Sequence, residues 1–93
     1  MVVGIARWEL LLPGCQSLKD KRRVVKSLKD RLHQRFGVSA AEVDHQDLWQ
    51  RSAIAAAVVS PDSRHAEEVL TACDRLVEAE PLAHIASRET TWH

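Results

Sequence analysis

The stretch SLKDKRRVVKSLKDRLHQRFG, Ser17–Gly37, decides the fold. Ser17 is a good helix N-cap. Asp20 stands three positions on, where a capping box carries its acid, one carbon shorter than the usual Glu. Leu18, Val25, Leu28, Leu32 and Phe36 then recur at steps of 7, 3, 4 and 4, the apolar stripe of an amphipathic helix. Gly37 falls at C′, where a left-handed residue ends many helices. The spacing predicts one long helix that buries a single face.

Upstream, Val2–Leu12 reads as a strand closed by the turn signal Pro13-Gly14. Alternation puts Val2, Gly4, Ala6, Trp8, Leu10 and Leu12 on one side. That side is the better core face, because the other carries Arg7 and Glu9 beside Val3, Ile5 and Leu11. Downstream, Val38–Gln46 and Ser52–Ser60 read as two further strands, with Asp47–Arg51 as their hairpin connection. The third strand is alanine-rich and apolar on both faces, which places it centrally in the sheet. Ser60-Pro61-Asp62 combines an N-cap, a Pro at N1 and a first-turn acid, so a second helix is expected to start at Ser60. Its stripe is Ala66, Val69, Cys73, Leu76 and Val77, and Pro81 stops it. Leu82–Trp92 is the fourth strand, anchored by Ile85.

The order β-α-β-β-α-β with right-handed crossovers implies one α+β domain over residues 1–93. It is a ferredoxin-like sandwich: a four-stranded antiparallel sheet with two helices on one face and the other face open. No apolar run approaches the ~20 residues of a membrane-spanning helix. The N-terminal residues lack the basic start and long apolar core of a signal peptide. Cys15 and Cys73 are unclustered and read as reduced thiols, so a cytoplasmic location is expected.

Charge supplies the functional signal. The chain has 13 cations and 13 anions, so its total is silent about partners. Within Ser17–Phe36, however, eight cations face only Asp20 and Asp30. Lys19, Lys21, Arg22 and Arg23 crowd the first two turns, where the helix dipole is already positive and a cation costs about 0.3–1 kcal/mol. Folding alone favours acids there, so the cluster reads as an anion-binding site. Lys26 and Lys29 extend it along one side at nucleic-acid-backbone scale. The competing reading is a solvated helix face paired with acids from the rest of the chain.

Other polar residues carry weaker signals. Strand alternation sends His45 and Asp47 one way and Glu42 and Asp44 the other, which disperses a metal site or acid–base dyad unless a bulge alters the parity. Trp49, at the hairpin tip beside Arg51, either anchors a partner or folds back over the sheet. Cys15 lies just before a positive helix start, a setting that lowers a thiol pKa. RNA-recognition motifs stack bases on aromatics of their central strands; here the third strand has none and the open face of the first offers only Val3 and Ile5, so RNA specificity is expected from shape. No catalytic residue, metal ligand set or cofactor site is assigned.

Two motifs carry a family resemblance. Ser17–Leu28 (SLKDKRRVVKSL) and Phe36–Arg51 (FGVSAAEVDHQDLWQR), with Val3-Gly4 and Leu12-Pro13-Gly14 at the start, resemble the YlxP-like family of small bacterial proteins, domain of unknown function 503. The resemblance spans nearly the whole chain. It implies a ferredoxin-like fold and a cytosolic bacterial protein, from a family whose genes commonly lie among translation and ribosome-maturation genes. It carries over no catalytic residue. The functional expectation is a non-enzymatic binding protein associated with RNA or the ribosome. The alternative is a protein-interaction or homodimerisation module that uses the open sheet face.

Overall fold

The computed structural model describes residues 1–93. It contains β1 (Val2–Leu11), α1 (Leu18–Phe36), β2 (Ser39–Asp44), β3 (Arg51–Ser60), α2 (Ser63–Glu78) and β4 (His84–Trp92). The sheet order is β2-β3-β1-β4, and every neighbouring pair is antiparallel. This is the expected ferredoxin-like arrangement, with the apolar third strand internal.

The predicted parity of β1 holds. Ala6, Trp8, Leu10 and Leu12 are buried against both helices, which contribute Val24, Val25, Leu28 and Leu32 from α1 and Leu70, Cys73, Leu76 and Val77 from α2. Trp8 is fully enclosed, and its indole N–H donates to Asp74 at 2.8 Å. A buried indole without such a partner would lose the full value of its hydration.

The helix ends follow from local chemistry. Ser17 Oγ accepts from Asp20 N at 3.0 Å, while Asp20 Oδ2 accepts from Gln16 N at 3.0 Å. Asp20 thus binds the N–H one residue upstream of the N-cap N–H that a capping box uses. Gly37 adopts φ 66° and its N–H bonds back to His33 O. The second helix begins later than the Ser60 start expected from sequence. Asp62 is the N-cap, accepting from Arg64 N at 2.9 Å, while Ser60 is spent on a local turn with Asp62.

Two irregularities shape the surfaces. In β4, pairing with β1 shifts between Glu9 and Leu10. In β2, pairing with β3 shifts between Glu42 and Asp44, leaving Val43 as the extra residue. At the end of β4, Trp92 lies over Gly4: a Cβ there would stand 2.6 Å from Trp92 Cζ3 and 2.8 Å from Leu70 Cδ1. Gly4→Ala is therefore expected to lower stability by about 1–3 kcal/mol in urea unfolding, as overpacking does. Trp92→Leu in the same chain should recover part of the loss, a non-additivity that a double-mutant cycle would read directly.

Candidate functional site

The basic helix divides into three groups in three dimensions. Lys19, Arg22 and Arg23 are exposed and Lys29 is half-buried, and none of the four has a carboxylate oxygen within 4.0 Å. Lys26 is exposed but pairs with Asp30 at 2.6 Å across one helical turn, which lowers the Asp30 pKa. Farther along, Arg31 is matched by Glu80 of the segment after α2.

Lys21 corrects the sequence expectation. It is 1% exposed and turns inward, away from any surface phosphate. Its ammonium lies 3.1 Å from Glu42 Oε2 and donates to the carbonyls of His45 at 2.6 Å, Gln46 at 3.1 Å and Arg51 at 3.4 Å. Ser52 Oγ donates to the same Glu42 oxygen at 2.6 Å. Helical spacing explains the placement, since residue 21 precedes Val24, Val25 and Leu28 on the buried face. The cation is a structural clamp joining α1 to both ends of the β2–β3 hairpin. At the N-terminus of α1, Ser17 Oγ takes one first-turn N–H, that of Asp20, and Asp20 itself binds Gln16 N just ahead of the cap. The unpaired side-chain charge lies on the exposed outer face of the helix.

The β2–β3 connection spans residues 45–50, whereas Asp47–Arg51 is expected from sequence: β2 ends earlier, at Asp44, and Arg51 already belongs to β3. It is anchored throughout. His45 has φ 63° and bonds Leu48 N through its carbonyl, and Gln50 Nε2 donates to Cys15 O at 3.1 Å and Pro13 O at 3.4 Å. Trp49 does not fold back over the sheet: it is 53% exposed, with Leu48 exposed beside it. Arg51 is half-exposed and stands 3.7 Å from Glu9, so part of its charge is already balanced.

The Val43 bulge overturns the simple parity of the second polar cluster. Glu42 turns inward to Lys21, whereas Asp44 and His45 reach the open sheet face. There His45 Nε2 meets Glu9 Oε2 at 2.9 Å, and Arg7 lies 2.9 Å from Glu9 and 3.6 Å from Asp44. Arg7 Nε is buried without a hydrogen-bond partner. Sequence reasoning missed this network, five residues with Arg51, because the Val43 bulge is what brings Asp44 and His45 to the face that carries Arg7 and Glu9. The positions that signalled it were the charged Arg7 and Glu9 on an otherwise apolar strand face.

Neither cysteine is an activated nucleophile. Burial, with Asp20 adding to it, raises the Cys15 thiol pKa, opposite to the depression expected from the helix start. Burial among the α2 core residues pushes Cys73 up to about 11. No three His, Cys, Asp or Glu side chains converge as a metal-ligand group, and no helix is long and apolar enough to cross a membrane.

With this geometry in hand, comparison with known proteins is direct. The model of a family described as a protein of unknown function, DUF503, matches residues 3–90. The chain belongs to the DUF503 family. A relative from Bacillus subtilis (strain 168), named uncharacterized protein YlxP, is 31% identical over 91 residues, covering 98% of this chain and 99% of that protein. Among solved structures, a de novo designed protein with a ferredoxin fold, LFR1 1, superposes with a TM-score of 0.55 at 11% identity. That match covers 97% of this chain and 84% of the designed one. It establishes the architecture of this DUF503 chain and nothing of its chemistry. The oxygenase SnoaB from Streptomyces nogalater superposes with a TM-score of 0.49 at 11% identity, covering 99% of this chain and 90% of its own, too distant to lend its activity.

The clamp makes a quantitative contrast. Lys21→Met strands Glu42 and three carbonyls, and should cost about 3–5 kcal/mol of unfolding free energy. Lys19→Met, at an exposed position with no carboxylate oxygen within 4.0 Å, should change stability by no more than about 0.5 kcal/mol. Urea unfolding of the two variants in parallel checks the assignment of the two lysines to different tasks.

Proposed function

We propose that the domain binds RNA, as an accessory factor of RNA or the ribosome, through the outer face of α1. The observation that carries this reading is the absence of internal carboxylate partners around Lys19, Arg22, Arg23 and Lys29. The chain has acids enough to neutralise them, and uses those acids on Lys21, Lys26, Arg31 and Arg88 instead. Charge left unmatched on a regular helix face at turn-to-turn spacing suits a polyphosphate backbone. Lys26 contributes to the same stripe once Asp30 is displaced, since their pair is fully at the surface and weak. Lys21 supports the site indirectly by holding the hairpin, with Trp49 and Arg51, beside the helix. The reading needs no cofactor and no catalytic group, and it suits a cytoplasmic protein.

Four unpaired cations, each neutralising one phosphate, give an expected slope of about −3 in log K against log salt concentration. Arg22→Glu with Arg23→Glu should remove binding at physiological salt while the urea midpoint stays within the range of a surface change. The measurement is a salt titration of fluorescence anisotropy on a labelled RNA, wild type against the double variant. Equal binding by the two proteins overturns the reading.

The open sheet face supports a second reading, self-association. Val43 and Val59 are exposed there, and Ile5, Ala55 and Ala57 lie half-buried between them with no element covering the strip. The sheet is four strands wide, at about 4.8 Å each, and ten residues long at β1 and β3, comparable with the roughly 800 Å² per partner of a standard interface. A second copy packed on this face predicts a dimer at micromolar concentration by sedimentation velocity. Ala57→Arg, at the centre of the strip, should return it to monomer with the fold intact.

A further inference from the structure

We infer that the ligand strand is single-stranded at the point where it leaves α1, and that Trp49 stacks on one of its bases. This rests on the RNA reading above and specifies which form of the polymer the site accepts. Three observations carry it. First, Trp49 is 53% exposed at the tip of a connection that is otherwise tied down. Lys21 bonds the carbonyls of residues 45, 46 and 51, and Gln50 bonds the carbonyls of Pro13 and Cys15. An aromatic ring presented to solvent from an immobilised loop has lost little freedom still to be lost on binding, which is the condition for an efficient anchor.

Second, the bonds that immobilise the loop run to α1 and to the residues just before it. Trp49 is thereby joined to the end of the helix that carries Lys19, Arg22 and Arg23. Phosphate contacts and an aromatic platform in one rigid unit are the two components of single-strand binding sites. A duplex offers the helix its phosphates but keeps its base faces stacked inside, and so leaves Trp49 without a partner.

Third, the charge of the tip separates the two components. Asp47 is exposed beside Trp49, and the charge of Arg51 is shared with Glu9. The tip is thus poor ground for phosphate and, with Leu48 and Trp49 exposed, good ground for a base. The backbone follows the helix and a base turns toward the hairpin. This differs from the shape-only recognition expected of an open sheet face on which β1 and β3 present no aromatic ring.

The test uses the full chain and two probes of matched length: a 12-nucleotide oligouridine carrying one 2-aminopurine, and a 12-base-pair RNA duplex. The wild type should bind the single strand and quench 2-aminopurine emission. Trp49→Ala should weaken single-strand binding about 5- to 100-fold, the effect of losing one stacked base, and leave duplex binding unchanged. Trp49→Phe should keep most of the affinity, and thermal melts should confirm that both variants remain folded. Single-strand binding that is sensitive to Arg22→Glu with Arg23→Glu but indifferent to Trp49→Ala overturns the stacking inference and leaves the phosphate reading standing. Failure of the wild type to bind either probe overturns both.

Discussion

The ammonium of Lys21 is the constraint on which the functional surface depends. A lysine buried to this extent must be neutralised and fully hydrogen-bonded, or the free energy of its desolvation would exceed what a domain of this size has available. Glu42 supplies the charge, and three carbonyls of the β2–β3 connection supply the remaining acceptors. Because those acceptors come from both ends of the hairpin loop, the ammonium ties both ends to α1. A hydrophobic residue at position 21 would pack the same face without imposing that geometry. The buried ion pair thus fixes where the hairpin sits, the use of buried polar groups for which the case is strongest when register or orientation is at stake.

Around this clamp the chain distributes its acids unevenly. Asp30 and Glu80 meet Lys26 and Arg31 on the flanks of α1, and Asp74 of α2 gathers Trp8 and Arg88 on the helix-covered face of the sheet. Glu9, Asp44 and His45 form a separate network with Arg7 and Arg51 on the open face. The outer face of the first turns of α1 is passed over by all of them. A neutral molecule therefore carries one locally cationic face, and the potential of that face, rather than the total charge, decides which partners approach it. The hairpin tied to the same helix by Lys21 and Gln50 carries an exposed indole, Trp49.

The fold was largely readable from residue order. Helix α1 could be delimited from Ser17 to Gly37 because its cap, its stripe and its left-handed terminator are all local, and each depends on neighbours within four residues. The parity of β1 was readable for the same reason, since alternation is imposed by the backbone. The start of α2 was misplaced at Ser60 because Ser60 and Asp62 are both competent caps. The choice between them rests on which hydroxyl or carboxylate the preceding turn consumes.

The site was readable as a set of residue types but not as a division of tasks. Sequence alone determined that positive charge is concentrated in one helix, that the helix is amphipathic and that a tryptophan lies at a hairpin tip. Only the tertiary structure decided that Lys21 is inside and Lys19 outside, that Glu42 belongs to the core and Asp44 to the open face, and that Trp49 stays in solvent. The physical reason is the same in each case. Charge, propensity and periodicity are properties of a segment, whereas the partner that neutralises a cation, or the bulge that turns a side chain to the other face, comes from residues distant in sequence and is set only when the sheet closes against its helices.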